Sequence, residues 1–335
     1  MTATETAPKS APKSAPQTAA PSRLANFPIT FFATTMGLGG FTLALRAAAA
    51  PMGLGKIPFQ VALAATLLVF VLVSLVYAAK AVRHGKDLAA EWHHPVRMAF
   101  FPTISVSILL LATAFLSESE PVALALWIIG TTLQGALTLA VISGWIGTRS
   151  FQHGHLNPAW FIPAVGNVIV PVAGAQLGFP EISWLFFSAG LIFWMVLLTL
   201  VFNRLVFHDP LAERLQPTMV IMVAPPAVAF LAWVRLTGGV DHFAHILLSL
   251  AYVFAAIIAL QLPRILRLPF ALSFWALSFP LASLTISSIM YGEMAKSHTH
   301  VLIGEVLLVA LVALIVALIW RTVQGIVRNE ICHPE

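Results

Sequence analysis

Two pairs of histidines are the first residues in this chain whose spacing suggests chemistry: His93 and His94 in EWHHP, and His153 and His155 in FQHGHLNP. Imidazole is a common zinc ligand. No cysteine or carboxylate at ligand spacing accompanies either pair, so they read as solvated or headgroup-facing loop residues, and no metal or other cofactor is expected. Asp241, His242 and His245 form a third polar group that also reads as loop chemistry. The single cysteine, Cys332, has no partner for an intramolecular disulfide. Catalysis needs acid, base, nucleophile or metal groups converging on a substrate. The inner of the long apolar runs that dominate the chain supply mostly Ser, Thr, Asn167, Gly and aromatic side chains, so an enzyme is not expected. One stretch asks a different question. WALSFPLASL, residues 275–284, sets Phe279 directly before Pro280 inside an apolar run, where proline removes a donor and is expected to bend the helix and free the carbonyl of Ala276. In hydrocarbon such a group is tolerated only against protein or a water-filled cavity, so the stretch hints at a pore.

The elements that must position these residues are membrane helices. Hydrophobic residues make up 59% of the chain and charged residues 9%, with a mean hydropathy of +0.91, far from the charge content of soluble proteins, about 25%. Apolar runs near 27–45, 57–79, 98–116, 121–147, 159–177, 182–203, 217–234, 243–262, 269–291 and 301–320 predict ten spanning helices. The expected organisation is a disordered cytoplasmic tail over residues 1–25, rich in Ala, Pro, Ser and Thr, then a transmembrane domain over 26–328 and a short tail over 329–335. An even number of spans puts both ends on one side. Of the 18 Lys and Arg residues, 14 fall on that side and only Arg46, Lys56, Arg235 and Lys296 on the other, so both termini are predicted to be cytoplasmic. The net charge of +5 then reflects topology and contact with anionic lipid, and no nucleic-acid partner is needed to explain it.

The spans differ by parity. Odd-numbered spans carry a proline near the cytoplasmic start, at Pro28, Pro102, Pro163, Pro217 and Pro269, and three carry further prolines deeper in, at Pro171, Pro225 with Pro226, and Pro280. The first span has instead the small-residue run MGLGG around Gly37, and the even spans have no interior proline. This predicts an all-α polytopic membrane protein of ten transmembrane helices as five hairpins, with kinked helices forming an inner ring around a central pore and smoother helices facing outward. Phe279 lies ten residues beyond Pro269, roughly 15 Å into the membrane at 1.5 Å per residue, near its midplane.

FPITFFATTMGLGG, FFPTISVSILLLA, WFIPAVGNVIVPVAG, PTMVIMVAPPAVAFLAW and FWALSFPLASL, in that order along residues 26–328, resemble the tellurite-resistance/dicarboxylate transporter family, which includes bacterial TehA proteins and the plant slow anion channels. The resemblance implies one pore per protomer, a homotrimer in the plasma membrane, and a phenylalanine in span nine, here Phe279, that plugs the pore. It also leaves open a carrier or exporter of C4-dicarboxylates, tellurite or related oxyanions. Unlike the plant channels, this chain has short tails, which argues against regulation by kinases.

Apart from Glu305 in span ten, the predicted spans hold no ionised side chain, which leaves little for a proton-driven pump or a carboxylate-lined cation path. Small anions are the better fit, weakly discriminated, with Arg46 and Arg235 as candidate pore-mouth cations. Glu305, on a peripheral span, is read as interfacial or in contact with a neighbouring protomer.

Overall fold

The computed structural model describes residues 22–147 and 151–332. In that range the chain is helical, with no strands. The helices are α1 (Phe32–Ala48), α2 (Ile57–Arg83), α3 (Gly85–Trp92), α4 (Thr103–Phe115), α5 (Glu120–Gly147), α6 (Phe161–Gly174), α7 (Pro180–Phe207), α8 (Ala224–Thr237), α9 (His242–Ile265), α10 (Ser278–Met294) and α11 (His298–Val327). Eight helical runs among the described residues are long and apolar enough to cross a membrane, and helices meet every backbone hydrogen bond internally, as a bilayer requires. The protein is a multi-pass membrane protein. Ten runs were expected. α1 and the apolar stretch Pro158–Gly174, which contains α6, fall outside the eight.

Burial separates two classes of helix. In Arg97–Phe115, 89% of the most apolar window is buried, against 22% in Ile57–Arg83 and 28% in both Pro180–Phe207 and His298–Val327. The buried helices α1, α4, α6, α8 and α10 touch one another in a closed ring, in the order α1–α4–α6–α8–α10–α1, and each packs on the long helix that follows it in the chain. Apolar side chains on α2, α5, α7, α9 and α11 face outward, among them Val61, Leu139, Leu185, Leu260 and Val316.

The prolines have a specific place in this arrangement. Each buried helix is led in by a 3-10 segment, Ile29–Phe31, Arg97–Phe100, Pro158–Trp160, Glu213–Val223 and Leu272–Leu277, and these five segments also touch one another in a ring. Pro163, Pro226 and Pro280 are each the third residue of the following α-helix, and Pro225 is the second of α8. The bend expected at Pro280 is therefore a change of winding at the junction of Leu272–Leu277 with α10. A residue without an N–H cannot make the α-type bond to the residue four back, and the tighter 3-10 turn before it removes the clash. Of the deeper prolines of the inner spans, Pro171 alone lies past the first turn of its α-helix, three residues before the end of α6. One even span does carry an interior proline: α9, the eighth expected span, runs past the expected boundary at residue 262 to Ile265 and includes Pro263, whereas Pro58, Pro121 and Pro180 sit in the first turns of α2, α5 and α7.

The ends also differ from expectation. Residues 23–26 form a turn, with Arg23 Nη2 donating to the carbonyl of Ile326 (3.4 Å). The ordered body thus begins before residue 26, while the expected disorder of residues 1–21, Arg149 and residues 333–335 lie outside the described residues. The segment expected to be a plain loop after span two holds the short helix α3.

Candidate functional site

Phe279 is 5% exposed and lies at the centre of the ring. Two small voids meet at its side chain. One is lined by Met36, Val106, Ile162, Val165, Ile221, Ala224, Phe279 and Pro280, and the other begins at Gly40 and includes Leu43, Thr113, Val172, Leu231 and Ser283. Every buried helix contributes to both. Met36 and Leu43, Val106 and Thr113, Val165 and Val172, and Ala224 and Leu231 are each seven residues apart, so the second void lies two helical turns beyond the first, roughly 10 Å along the same face. A single axis thus runs down the middle of the five helices, with the Phe279 ring dividing it. No ionised side chain lines either void.

What holds the ring there is the small-residue run of α1. A Cβ at Gly40 would stand 3.0 Å from the Cβ of Ala282 and 3.1 Å from Cδ2 of Phe279; one at Gly37 would collide with Ser278 Oγ. These glycines let α10 lie against α1 and seat the Phe279 ring in the notch. Gly37 therefore serves the approach of Ser278 and Trp275, and the residue touching the ring is Gly40. Trp275 is fixed in turn by its Nε1, which donates to Thr322 Oγ1 of α11 (2.9 Å). Pro280 and Phe279 both line the axis, whereas Pro171, Pro225 and Pro226 line neither void.

Arg46 and Arg235 occupy the C-terminal last turns of α1 and α8. Arg46 Nη1 donates to the carbonyls of Thr113 (2.9 Å) and Ala114 (3.3 Å) at the end of α4, and the guanidinium lies 5.7 Å from the centre of the Phe59 ring. Arg235 is exposed. The two guanidiniums stand close enough to repel each other, although α1 and α8 are not neighbours in the ring.

The remaining polar residues have local roles. Asp241 is the N-cap of α9, accepting from Ala244 N (2.9 Å) and Trp233 Nε1 (2.8 Å). Donation from the Ala244 N–H holds its carboxyl below the ordinary aspartate range. His242 is exposed, and His245 Nδ1 lies 3.3 Å from Tyr291 Oη. His93 Nδ1 lies 2.7 Å from the Ala89 carbonyl, His94 Nδ1 accepts from Val96 N and Arg97 N, and His155 Nδ1 accepts from Gln152 N. Among the described residues no three metal-ligating side chains gather. The side chain of His153 lies outside the described residues. Glu305 is half-buried on α11 beside Gly304, which packs on Ile289 of α10. Hydroxyls of the buried helices are committed: Thr35 Oγ1 and Ser107 Oγ share a bond (2.6 Å), and Ser287 Oγ donates to the Ala227 carbonyl (2.9 Å).

Two buried polar clusters escaped the reading of the sequence. Glu91 of α3 accepts from Ile29 N (2.7 Å), Tyr77 Oη (3.0 Å) and Lys80 Nζ (2.7 Å), and Lys80 also donates to the Phe27 carbonyl (2.8 Å). Gln134 of α5 accepts from Ser105 Oγ (2.7 Å) and donates to Thr138 Oγ1 and the Pro163 carbonyl (both 3.0 Å), while Asn167 Nδ2 donates to the same carbonyl (2.8 Å). Single polar residues in a helical run carry no partner information, so nothing in the pattern pairs them. Both clusters brace the axis from outside it.

Known proteins align with this architecture over most of its length. The chain is 27% identical over 306 residues to the S-type anion channel SLAH3 of Arabidopsis thaliana, covering 88% of this chain and 47% of that one. It thus spans about half of the plant protein. It is 30% identical over 223 residues to the tellurite resistance protein TehA homolog of Haemophilus influenzae, covering 66% and 67% of the two chains. An uncharacterized transporter of Methanocaldococcus jannaschii is 28% identical over 287 residues, with 78% and 83% covered. The sequence profile described as voltage-dependent anion channel (SLAC1) matches residues 26–323, a range that takes in all five buried helices and Phe279, and the chain belongs to that family.

Proposed function

We propose that the chain is an anion channel of ten transmembrane helices in five hairpins, with its pore on the axis of α1, α4, α6, α8 and α10 and Phe279 as the gate. The observation that carries this reading is the division of one axial path, lined by all five helices, by a single aromatic ring. A phenyl ring in so apolar a constriction closes it sterically and leaves the remaining gap too dry for a hydrated ion. The anion preference rests on the lack of carboxylates along the voids and on Arg46 and Arg235 at one end. With no fixed charge at the constriction, discrimination among small anions is weak. The S-type channels among the relatives support this reading over that of a carrier for dicarboxylates or oxyanions. Three copies, each with its own pore, form the assembly in the plasma membrane, and the mass of the protein in detergent is the check: a monomer or dimer overturns the trimer.

The test is Phe279→Ala in planar bilayers with asymmetric chloride. The variant is expected to raise the current at least severalfold, with reversal at the chloride potential. Thermal stability on the same preparation is expected to fall by less than the roughly 3–5 kcal/mol of a truncated core phenylalanine. Unchanged current in a folded variant refutes the gate. Saturable, coupled counterflow without current assigns a carrier instead.

A further inference from the structure

The outer ends of the buried helices hold a feature that gating does not use. The face that lines the axis continues one turn past Leu43, Thr113, Val172 and Leu231 to Arg46, Ser117, Gln176 and Arg235. A polar collar therefore follows directly on an apolar void. Arg46 is fixed in it: the bonds to the Thr113 and Ala114 carbonyls both leave from Nη1, as does a longer contact to Ser117 Oγ (3.5 Å), and the Phe59 face backs the guanidinium. Neither arginine has a carboxylate within ion-pair distance among the described residues. The nearest acidic influence on Arg46 is Glu118, whose Oε2 accepts from Gln60 Nε2 (3.3 Å). Across the ring, on a helix that is not a neighbour of α1 in it, Arg235 repels Arg46. Two like charges on opposite walls of one opening, neither in ion-pair contact with a carboxylate among the described residues, call for an anion between them.

We propose that Arg46 and Arg235 together bind a divalent oxyanion at the outer mouth, where it blocks the path instead of passing along it. This rests on the reading of the axis as an anion pore. A monovalent anion neutralises half of the local +2 charge, whereas a dianion with several oxygens neutralises both guanidiniums and accepts from both forks. The same double charge bars it from the void beyond. Desolvation cost rises as the square of the charge, and the walls there are Leu43, Val172, Leu231 and Ile286 with only the hydroxyls of Thr113 and Ser283 to replace water. The collar holds the ion and the void rejects it.

Sulfate is the probe. In the Phe279→Ala background, sodium sulfate added to the side facing Arg46 is expected to reduce chloride current, and the same addition to the opposite side to have little effect. Arg235→Gln is expected to raise the half-blocking concentration about tenfold, the loss of one charged hydrogen-bonding partner, with Arg235→Lys in between. Block of equal strength in Arg235→Gln, or equal from both sides, overturns the proposal. If Phe279→Ala carries no anion current, the pore reading fails and binding alone decides the site. Sulfate compared with chloride at matched ionic strength is expected to raise the melting temperature of the otherwise unaltered protein more than that of Arg235→Gln. An identical rise in both, the general salting effect of sulfate, overturns the site.

Discussion

Lys80 shows what a cation count along the chain misses. It was counted among the cytoplasmic charges that orient the protein, yet its side chain is 3% exposed and that of Glu91 1%. Both Glu91 oxygens are engaged, one by Ile29 N and the other by Tyr77 and Lys80, so the pair ties α2, α3 and the start of the first buried segment into one knot. Breaking such a pair from one side strands a buried charge, which costs about 3–5 kcal/mol. Lys80→Met is therefore expected to lower thermal stability by that amount in detergent. Lys80→Met with Glu91→Gln is expected to recover much of the loss, because the amide oxygen still accepts from Ile29 N, the amide NH2 can donate to Tyr77 Oη, and the stranded charge is gone. If the double variant is no more stable than the single one, the charge is not what the knot is holding.

Between helices, close approach is set by glycine and by polar side chains pointed at it. A Cβ on Gly166 of α6 would lie 2.4 Å from both Oε1 and Nε2 of Gln134, and that amide cannot swing aside without breaking bonds to Ser105, Thr138 and Pro163. Gly166→Ala is expected to cost about 1–3 kcal/mol through overpacking. Gln134→Ala removes the obstacle. The two substitutions should then be non-additive, the double variant being more stable than the sum of the single losses implies, as read from melting curves; strict additivity refutes the contact. This level of structure was partly legible. Apolar runs and their prolines marked the buried helices, because a missing N–H is tolerated where the winding changes at a helix start. The place of Phe279 in the apolar run after Pro269 could be read, although its depth was counted as continuous α-helix where the chain winds as 3-10 from Leu272 to Leu277. The seat at Gly40 could not, since MGLGG offers three glycines and only the packing of α10 selects which one meets the ring. Nor could α3, whose eight residues lie below the length at which apolar periodicity identifies a helix.

For the whole molecule, the distribution of Lys and Arg between its two ends decides which end faces the cytoplasm. Arg23 bonds the carbonyl of Ile326, so the first and last described segments meet at one end of the bundle, as an even number of crossings requires. The 3-10 ring that leads into the buried helices holds Arg97 in one of its segments and Arg214 in another, and Lys80 ties its first segment to α2. At the opposite end stand Arg46 and Arg235, with Glu118, Glu120, Glu181 and Glu293 at or beside the turns that follow α4, α6 and α10. Retention of Lys and Arg on the cytoplasmic side operates during insertion, on short loops and helix ends, and acidic residues contribute little to it. The 14 cations assigned to the end shared by the termini therefore outweigh the four on the other, whatever the acidic balance. Alkaline phosphatase folds to an active form only outside the cytoplasm. Fused after Glu335 it is expected to be inactive, and fused after truncation in the loop at Gly239, between α8 and α9, it is expected to be active. The reverse pattern inverts the molecule, puts Arg46 and Arg235 at the cytoplasmic mouth, and moves the predicted sulfate block to that side.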